Sequence, residues 1–136
     1  MESNIWGPPA WLFLHTITLN YPENPTLDDK ENFRIFFNEL KNVLPCDKCK
    51  QHYAQNIIET PIQLDSKKDL VKWLIEIHNK VNESNNKPIL TYDQVIKEYL
   101  NLYSKKTNYN KYIIFVIIII FLLLVLYATT QKNSSP

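Results

Sequence analysis

Two cysteines, Cys46 and Cys49, stand three residues apart directly after Pro45. If Pro45 or Cys46 opens a helix, both thiols sit near its positive end. Free N–H groups and the helix dipole there favour a thiolate and lower the cysteine pKa. One helical turn separates the pair, so it can close a disulfide and reopen it. One sulfur can attack or be attacked while the other passes electrons onward. As a structural bridge the pair would do little, because so short a loop removes little chain entropy. Two cysteines also make no disulfide scaffold. Zinc is the rival chemistry. Cys46, Cys49, His52 and His78 offer two thiolates and two imidazoles to a tetrahedral site, although His52 and His78 lie far outside the usual spacing of paired zinc histidines. The cysteines alone leave redox and zinc equally open.

The chain also has three histidines. His15 follows Trp11 by four residues, which puts both on one helix face. An ordinary half-buried pair has the same spacing. His52, three after Cys49, reads equally well as a surface residue. In His78-Asn79-Lys80-Val81-Asn82, His78 and Asn82 share a face and Asn79 lies beside them. An imidazole and two amides are poor helix formers, and buried polar groups need partners. A polar ligand and a self-satisfied interior both explain them.

These residues need helices to position them. Pro8 and Pro9 can occupy the first turn of a helix running to Leu19. Tyr21 to Thr26 is a loop, and Thr26 with Asp29 forms a capping box. The helix behind it carries Phe33, Phe36, Phe37, Leu40 and Val43 or Leu44 on one face. Pro45 breaks the chain, and a short helix follows from about Cys46 to Glu59. Ser66 with Asp69 caps a fourth helix bearing Leu70, Trp73, Leu74, Ile77 and Val81. Thr91 with Gln94 caps a fifth, with Val95, Tyr99, Leu102 and Tyr103 on its face. Asn/Lys-rich stretches at Glu83 to Lys87 and Ser104 to Lys111 read as solvated loop or linker. The expectation is all-α: a compact four-helix bundle plus a short fifth helix.

The apolar run Ile113 to Ala128 follows; with Tyr112 it gives a transmembrane helix over 112–128, 17 residues. That is about 25 Å of helix, at the short end for a span and suited to a thin bilayer. Tyr109, Tyr112 and Tyr127 sit where interfacial aromatics belong. Lys105, Lys106 and Lys111 precede the run and Lys132 follows it. The positive-inside rule then keeps residues 1–104 in the cytoplasm, joined by a basic juxtamembrane linker at 105–111 and ending in a polar tail at 129–136. The start of the chain has no basic, apolar leader.

Composition narrows the function. A net charge of +1 gives no reason to expect nucleic acid. Gly7 is the only glycine, which excludes a Gly-rich phosphate loop and argues against an all-β fold. A cofactor would be held by side chains.

Four motifs in order give the chain a family resemblance. They are Trp6-Gly7-Pro8-Pro9-Ala10-Trp11 with Leu14-His15-Thr16 and Tyr21-Pro22; Leu44-Pro45-Cys46-Asp47-Lys48-Cys49 with His52-Tyr53; Trp73-Leu74 with the H-N-x-V-N pentad; and Lys87-Pro88. Over about residues 6 to 103 the chain resembles the Erv/ALR family of FAD-linked sulfhydryl oxidases, and looks most like short virus-encoded members. The resemblance implies a helical, homodimeric flavoprotein domain over 1–104, with non-covalent FAD. It implies that Trp11, His15 and Tyr21 contact the cofactor, that His52 and Cys49 lie beside the flavin, and that His78, Asn79, Asn82 and Lys87 contact the adenine and phosphate portion. Tyr103 aligns with a C-terminal aromatic. It implies that Cys46 is the catalytic cysteine that meets substrate, and that Cys49 passes the electron pair to FAD. Oxygen then accepts the electrons and becomes hydrogen peroxide. The chain departs from many relatives in having no second, shuttling CxxC and no further structural disulfide. A thiol client therefore reaches Cys46 directly or through a separate relay protein. The rival class is a membrane-anchored, zinc-stabilised helical adaptor. A cytoplasm-facing oxidase on an internal host membrane or a virion membrane suits a virus.

Overall fold

The computed structural model describes residues 2–133, with side chains throughout except at 105–110 and 131–133. Five helices make up the described chain: α1 (Ser3–Leu19), α2 (Leu27–Val43), α3 (Asp47–Glu59), α4 (Lys67–Ser84) and α5 (Tyr92–Asn133). No strand occurs among the described residues. The chain divides into two compact units, Met1–Tyr92 and Asp93–Pro136.

Local signals explain most boundaries. Thr26 accepts from the Asp29 amide and the Asp29 carboxylate accepts from the Thr26 amide, so the expected capping box opens α2. Ser66 accepts from the Asp69 amide at 3.2 Å and opens α4. The first helix departs from expectation. It begins at Ser3, so Pro8 and Pro9 lie inside it rather than in its first turn. Without N–H groups, they leave the carbonyls of Asn4 and Ile5 lacking their in-helix donors.

In the first unit α4 is central, packing against α1 and α3, while α2 packs on α3. Its stripe Leu70, Trp73, Leu74 and Ile77 recurs at i, i+3, i+4 and i+7, and all four are buried. Phe37 of α2 meets Trp73 edge-on at 5.0 Å. From α2, Phe33, Phe36, Leu40 and Leu44 join this core. Val43 stays 68% exposed, so of the two residues expected at the end of that face Leu44 turns inward. Buried polar tips find carbonyls, as they must. The Tyr53 hydroxyl donates to Phe37 O at 2.9 Å and the Trp73 indole to Thr60 O at 2.8 Å.

The second unit departs from the loop or linker expected at 104–111. The backbone stays helical through that stretch, and α5 is one helix of 42 residues. Polar Asn and Lys residues lower helix propensity only slightly, and no proline interrupts them. The expected face is also cut short: Val95 and Tyr99 are buried, while Leu102 and Tyr103 are about half exposed. The stretch long and apolar enough to cross a membrane is Lys111–Thr130, 20 residues with mean hydropathy 3.1. Thr129 and Thr130 extend the 17-residue run because their hydroxyls donate to Leu126 O and Tyr127 O, both at 2.8 Å. The result is about 30 Å of helix, the thickness of an ordinary hydrocarbon core. The side chains of Lys105, Lys106, Tyr109 and Lys132, and the end of the tail at 134–136, lie outside the described residues.

Candidate functional site

Pro45 ends the extended link after α2, and Cys46 becomes the N-cap of α3, with φ −139° and ψ 122°. Ser, Thr, Asp or Asn usually fills this position, accepting an orphan amide with an oxygen. Here a sulfur does so: the Cys49 N–H donates to Cys46 Sγ at 3.3 Å. Both cysteines are free and half-buried. Hydrogen bonds from Cys49 and from the Lys48 amide hold the Cys46 thiol below its usual pKa. Burial pushes the Cys49 thiol up to about 11, and its bond to Cys46 adds to this. One turn of helix thus holds a sulfur with a lowered pKa beside one whose pKa is raised.

A second cluster forms where α1 packs on α4. His78 stacks on Trp11 with ring centroids 3.9 Å apart. His15 is 1% exposed. Its Nε2 lies 3.0 Å from His78 Nδ1, so one ring donates and the other accepts. Such a bond requires at least one neutral ring. Burial accordingly lowers the His15 pKa to about 3, with the charge of His78 second. Burial and the Lys87 ammonium lower His78 to about 4. The cluster presents aromatic surface and uncharged imidazoles, with one cation acting on it.

That cation sits on the turn after α4. The Lys87 N–H returns to Asn82 O at 2.8 Å and the Asn86 N–H to Glu83 O at 3.1 Å. Asn86 takes φ 52°. This is a Schellman ending with asparagine where glycine is usual. Three residues on, the Asn79 side chain donates to Leu90 O at 2.8 Å and accepts from the Leu90 N–H at 2.9 Å. Asn82 is buried in the same helix. The sequence reading missed Asn86 and Leu90. An asparagine one residue before Lys87-Pro88 was the available signal for the turn; the Leu90 backbone carries no side-chain signal.

The structure therefore brings Trp11, His15 and His78 together, with Lys87 acting on His78 and Asn79 and Asn82 framing the Lys87 turn. The other expected residues have surroundings of their own. Tyr21 is fully buried; its hydroxyl donates to Leu64 O at 3.0 Å and its ring meets Phe33 edge-on. His52 is exposed on α3, and Tyr103 is half exposed on α5. Among the described residues no group of three or more His, Cys, Asp or Glu is placed to hold a metal. The four residues that the rival zinc reading needs are not gathered, since His78 faces Trp11 and His15 instead.

Comparison with known proteins bears on most of the first unit and the start of α5. Residues 8–101 match the Erv1 / Alr family. The chain belongs to that family. It is 41% identical over 119 residues to a probable FAD-linked sulfhydryl oxidase of Acanthamoeba polyphaga mimivirus, covering 84% of this chain and 83% of that protein. It is 30% identical over 101 residues to an FAD-linked sulfhydryl oxidase of African swine fever virus, covering 74% and 81%. The Arabidopsis thaliana and Saccharomyces cerevisiae relatives are longer, and the chain spans 47% and 43% of their lengths. Among solved Erv1 / Alr structures, the FAD binding domain of Erv1 from Saccharomyces cerevisiae superposes with a TM-score of 0.65 at 32% identity. That match covers 67% of this chain and 87% of that one.

Proposed function

We propose that this chain is an FAD-linked sulfhydryl oxidase, fixed to a membrane by α5, that makes disulfides in thiol proteins through Cys46 and Cys49. The observation that carries the reading is the capped pair, Cys46 accepting from the Cys49 amide at 3.3 Å. In the oxidised pair, a client thiolate attacks Cys46 Sγ, the Cys46–Cys49 bond breaks, and Cys49 takes up a proton. A second client thiol then attacks the client's own sulfur. The client disulfide forms and Cys46 leaves as thiolate. Low thiol pKa makes a good leaving group, so the hydrogen bonds that hold Cys46 down favour product release. The raised pKa of Cys49 holds its proton until the pair is reoxidised.

The residues present fit FAD. Trp11 and His78 offer flat aromatic surface, the neutral imidazoles of His15 and His78 offer donors and acceptors, and Lys87 offers a cation for phosphate. Bound FAD supplies an acceptor for the electron pair released when Cys46 and Cys49 rejoin, and a route from there to oxygen and hydrogen peroxide. In this reading Trp11, His15, His78 and Lys87 line the adenine and phosphate side of the site, and Asn79 and Asn82 build the turn that carries Lys87. Tyr21, Cys49 and His52 complete it, and 1–104 is the catalytic domain.

Ile5, Leu12 and Phe13 recur on α1 at i, i+7 and i+8 and are exposed, which supports a homodimer. The excess of lysine before the apolar stretch supports a cytoplasmic catalytic domain. We further propose that a separate thiol protein relays electrons from the final client to Cys46, the outer sulfur of the CxxC pair. Mixed disulfides trapped on a Cys49→Ala variant should contain that relay; final clients alone would refute it. The reading as a whole is tested on detergent-solubilised protein. A visible flavin band and dithiothreitol-dependent oxygen uptake are expected. A colourless protein that consumes no oxygen when given FAD would overturn it.

A further inference from the structure

Asparagine in mid-helix is a costly choice that needs a structural return. On α4 the Asn79 amide uses both ends on one backbone residue, Leu90, as a strand neighbour would: donor to O at 2.8 Å, acceptor from N–H at 2.9 Å. The segment it holds begins at the Schellman ending, where Lys87 is tied back to Asn82 O. Lys87, Pro88 and Ile89 are therefore strung between two anchors on the same helix, three residues apart. Pro88 stiffens the string by fixing its own φ and restricting Lys87 to extended conformations. We infer that Asn79 is a positioning residue, a clamp that holds the segment carrying Lys87 in place rather than a group that touches the cofactor itself. This rests on the assignment of Lys87 and His78 to the FAD site.

Without the clamp only the Asn82 anchor remains, and Lys87 swings with a loose segment. A lysine held in place binds phosphate better than a mobile one, because less freedom is lost on binding. The expected effect of Asn79→Ala is then an indirect loss of FAD affinity that needs Lys87 to be expressed.

The experiment has two readouts on the full chain in detergent. The first is amide hydrogen exchange without FAD. Asn79→Ala should speed exchange at both Leu90 and Lys87; an unchanged Lys87 amide overturns the clamp. The second is FAD titration of wild type, Asn79→Ala, Lys87→Ala and the double variant. Asn79→Ala should weaken binding about tenfold in the wild-type background. In the Lys87→Ala background it should weaken binding less than about twofold. Equal losses in both backgrounds, or none in either, overturn the inference. Should Asn79→Ala fail to fold, Asn79→Asp, which keeps only the acceptor for Leu90, is read the same way. A chain that binds no FAD sinks the oxidase reading, and exchange alone then decides the clamp.

Discussion

The imidazole of His78 lies flat on the indole of Trp11, 8° from parallel, although 67 residues separate them in the chain. The contact joins α1 to α4 and forms the aromatic floor of the proposed cofactor site. Trp11→Ala removes the floor and leaves His78 without its stack. FAD affinity should fall about tenfold or more, while Trp11→Phe should recover most of it. Titrating cofactor-free protein and following flavin fluorescence measures both. Unchanged affinity in Trp11→Ala would place the cofactor elsewhere.

The two thiols should part company in their reactivity. Cys46 has its pKa lowered and Cys49 has its pKa raised to about 11, and only thiolates alkylate at useful rates. Iodoacetamide on reduced protein near neutral pH should label Cys46 first, with Cys49 following only as pH approaches 11. Mass spectrometry of quenched samples gives the order. Cys49 labelled first would reverse the roles assigned here.

Acid should unfold the first unit earlier than its carboxylates require. His15 and His78 have folded pKa values of about 3 and about 4, below the ordinary 6.5. Between those values and 6.5 the unfolded chain binds more protons. Stability is therefore full above 6.5 and falls as pH drops toward 4, by about 1.4 kcal/mol per pH unit for each imidazole at the steepest. Denaturant melts across pH 7 to 4 test this. His15→Gln should flatten the slope; an unaltered slope would show that other groups carry it.

Tyr21 offers a sharper separation of packing from cofactor contact. Its hydroxyl is spent on Leu64 O. Tyr21→Phe leaves that buried carbonyl unpaired and should cost about 1–3 kcal/mol. The melting temperature should drop while purified protein keeps a wild-type flavin content. Full stability with lost flavin would show that the hydroxyl itself, and not the ring alone, serves the cofactor.

What the sequence made readable was local. The Thr26–Asp29 and Ser66–Asp69 caps were legible because each is settled within three residues. So were the α4 stripe and the placing of both cysteines on one turn, which depend on helix period alone. Cys46 as the cap itself was one residue beyond that resolution. The pairings of Tyr21 with Leu64 and of Asn79 with Leu90 were illegible, since both end on backbone carbonyls that no side chain announces. The start of α1 was hidden for another reason: Glu2 makes no side-chain cap, so two prolines looked like the beginning. In α5, lysines and asparagines read as linker because polarity was taken as a break. Polarity only tells which solvent a helix meets.

The unbroken course of α5 has a consequence for insertions and deletions. A flexible linker would absorb an added residue and hide it. A continuous helix cannot: each residue removed between 104 and 110 turns everything after it by about 100° and draws it in by about 1.5 Å. Removing seven restores the azimuth to within about 20° while shortening the rod by about 10 Å. Length and rotational phase can therefore be varied separately in this protein, and whichever of the two its partners at the membrane depend on will show as a periodic or a monotonic response.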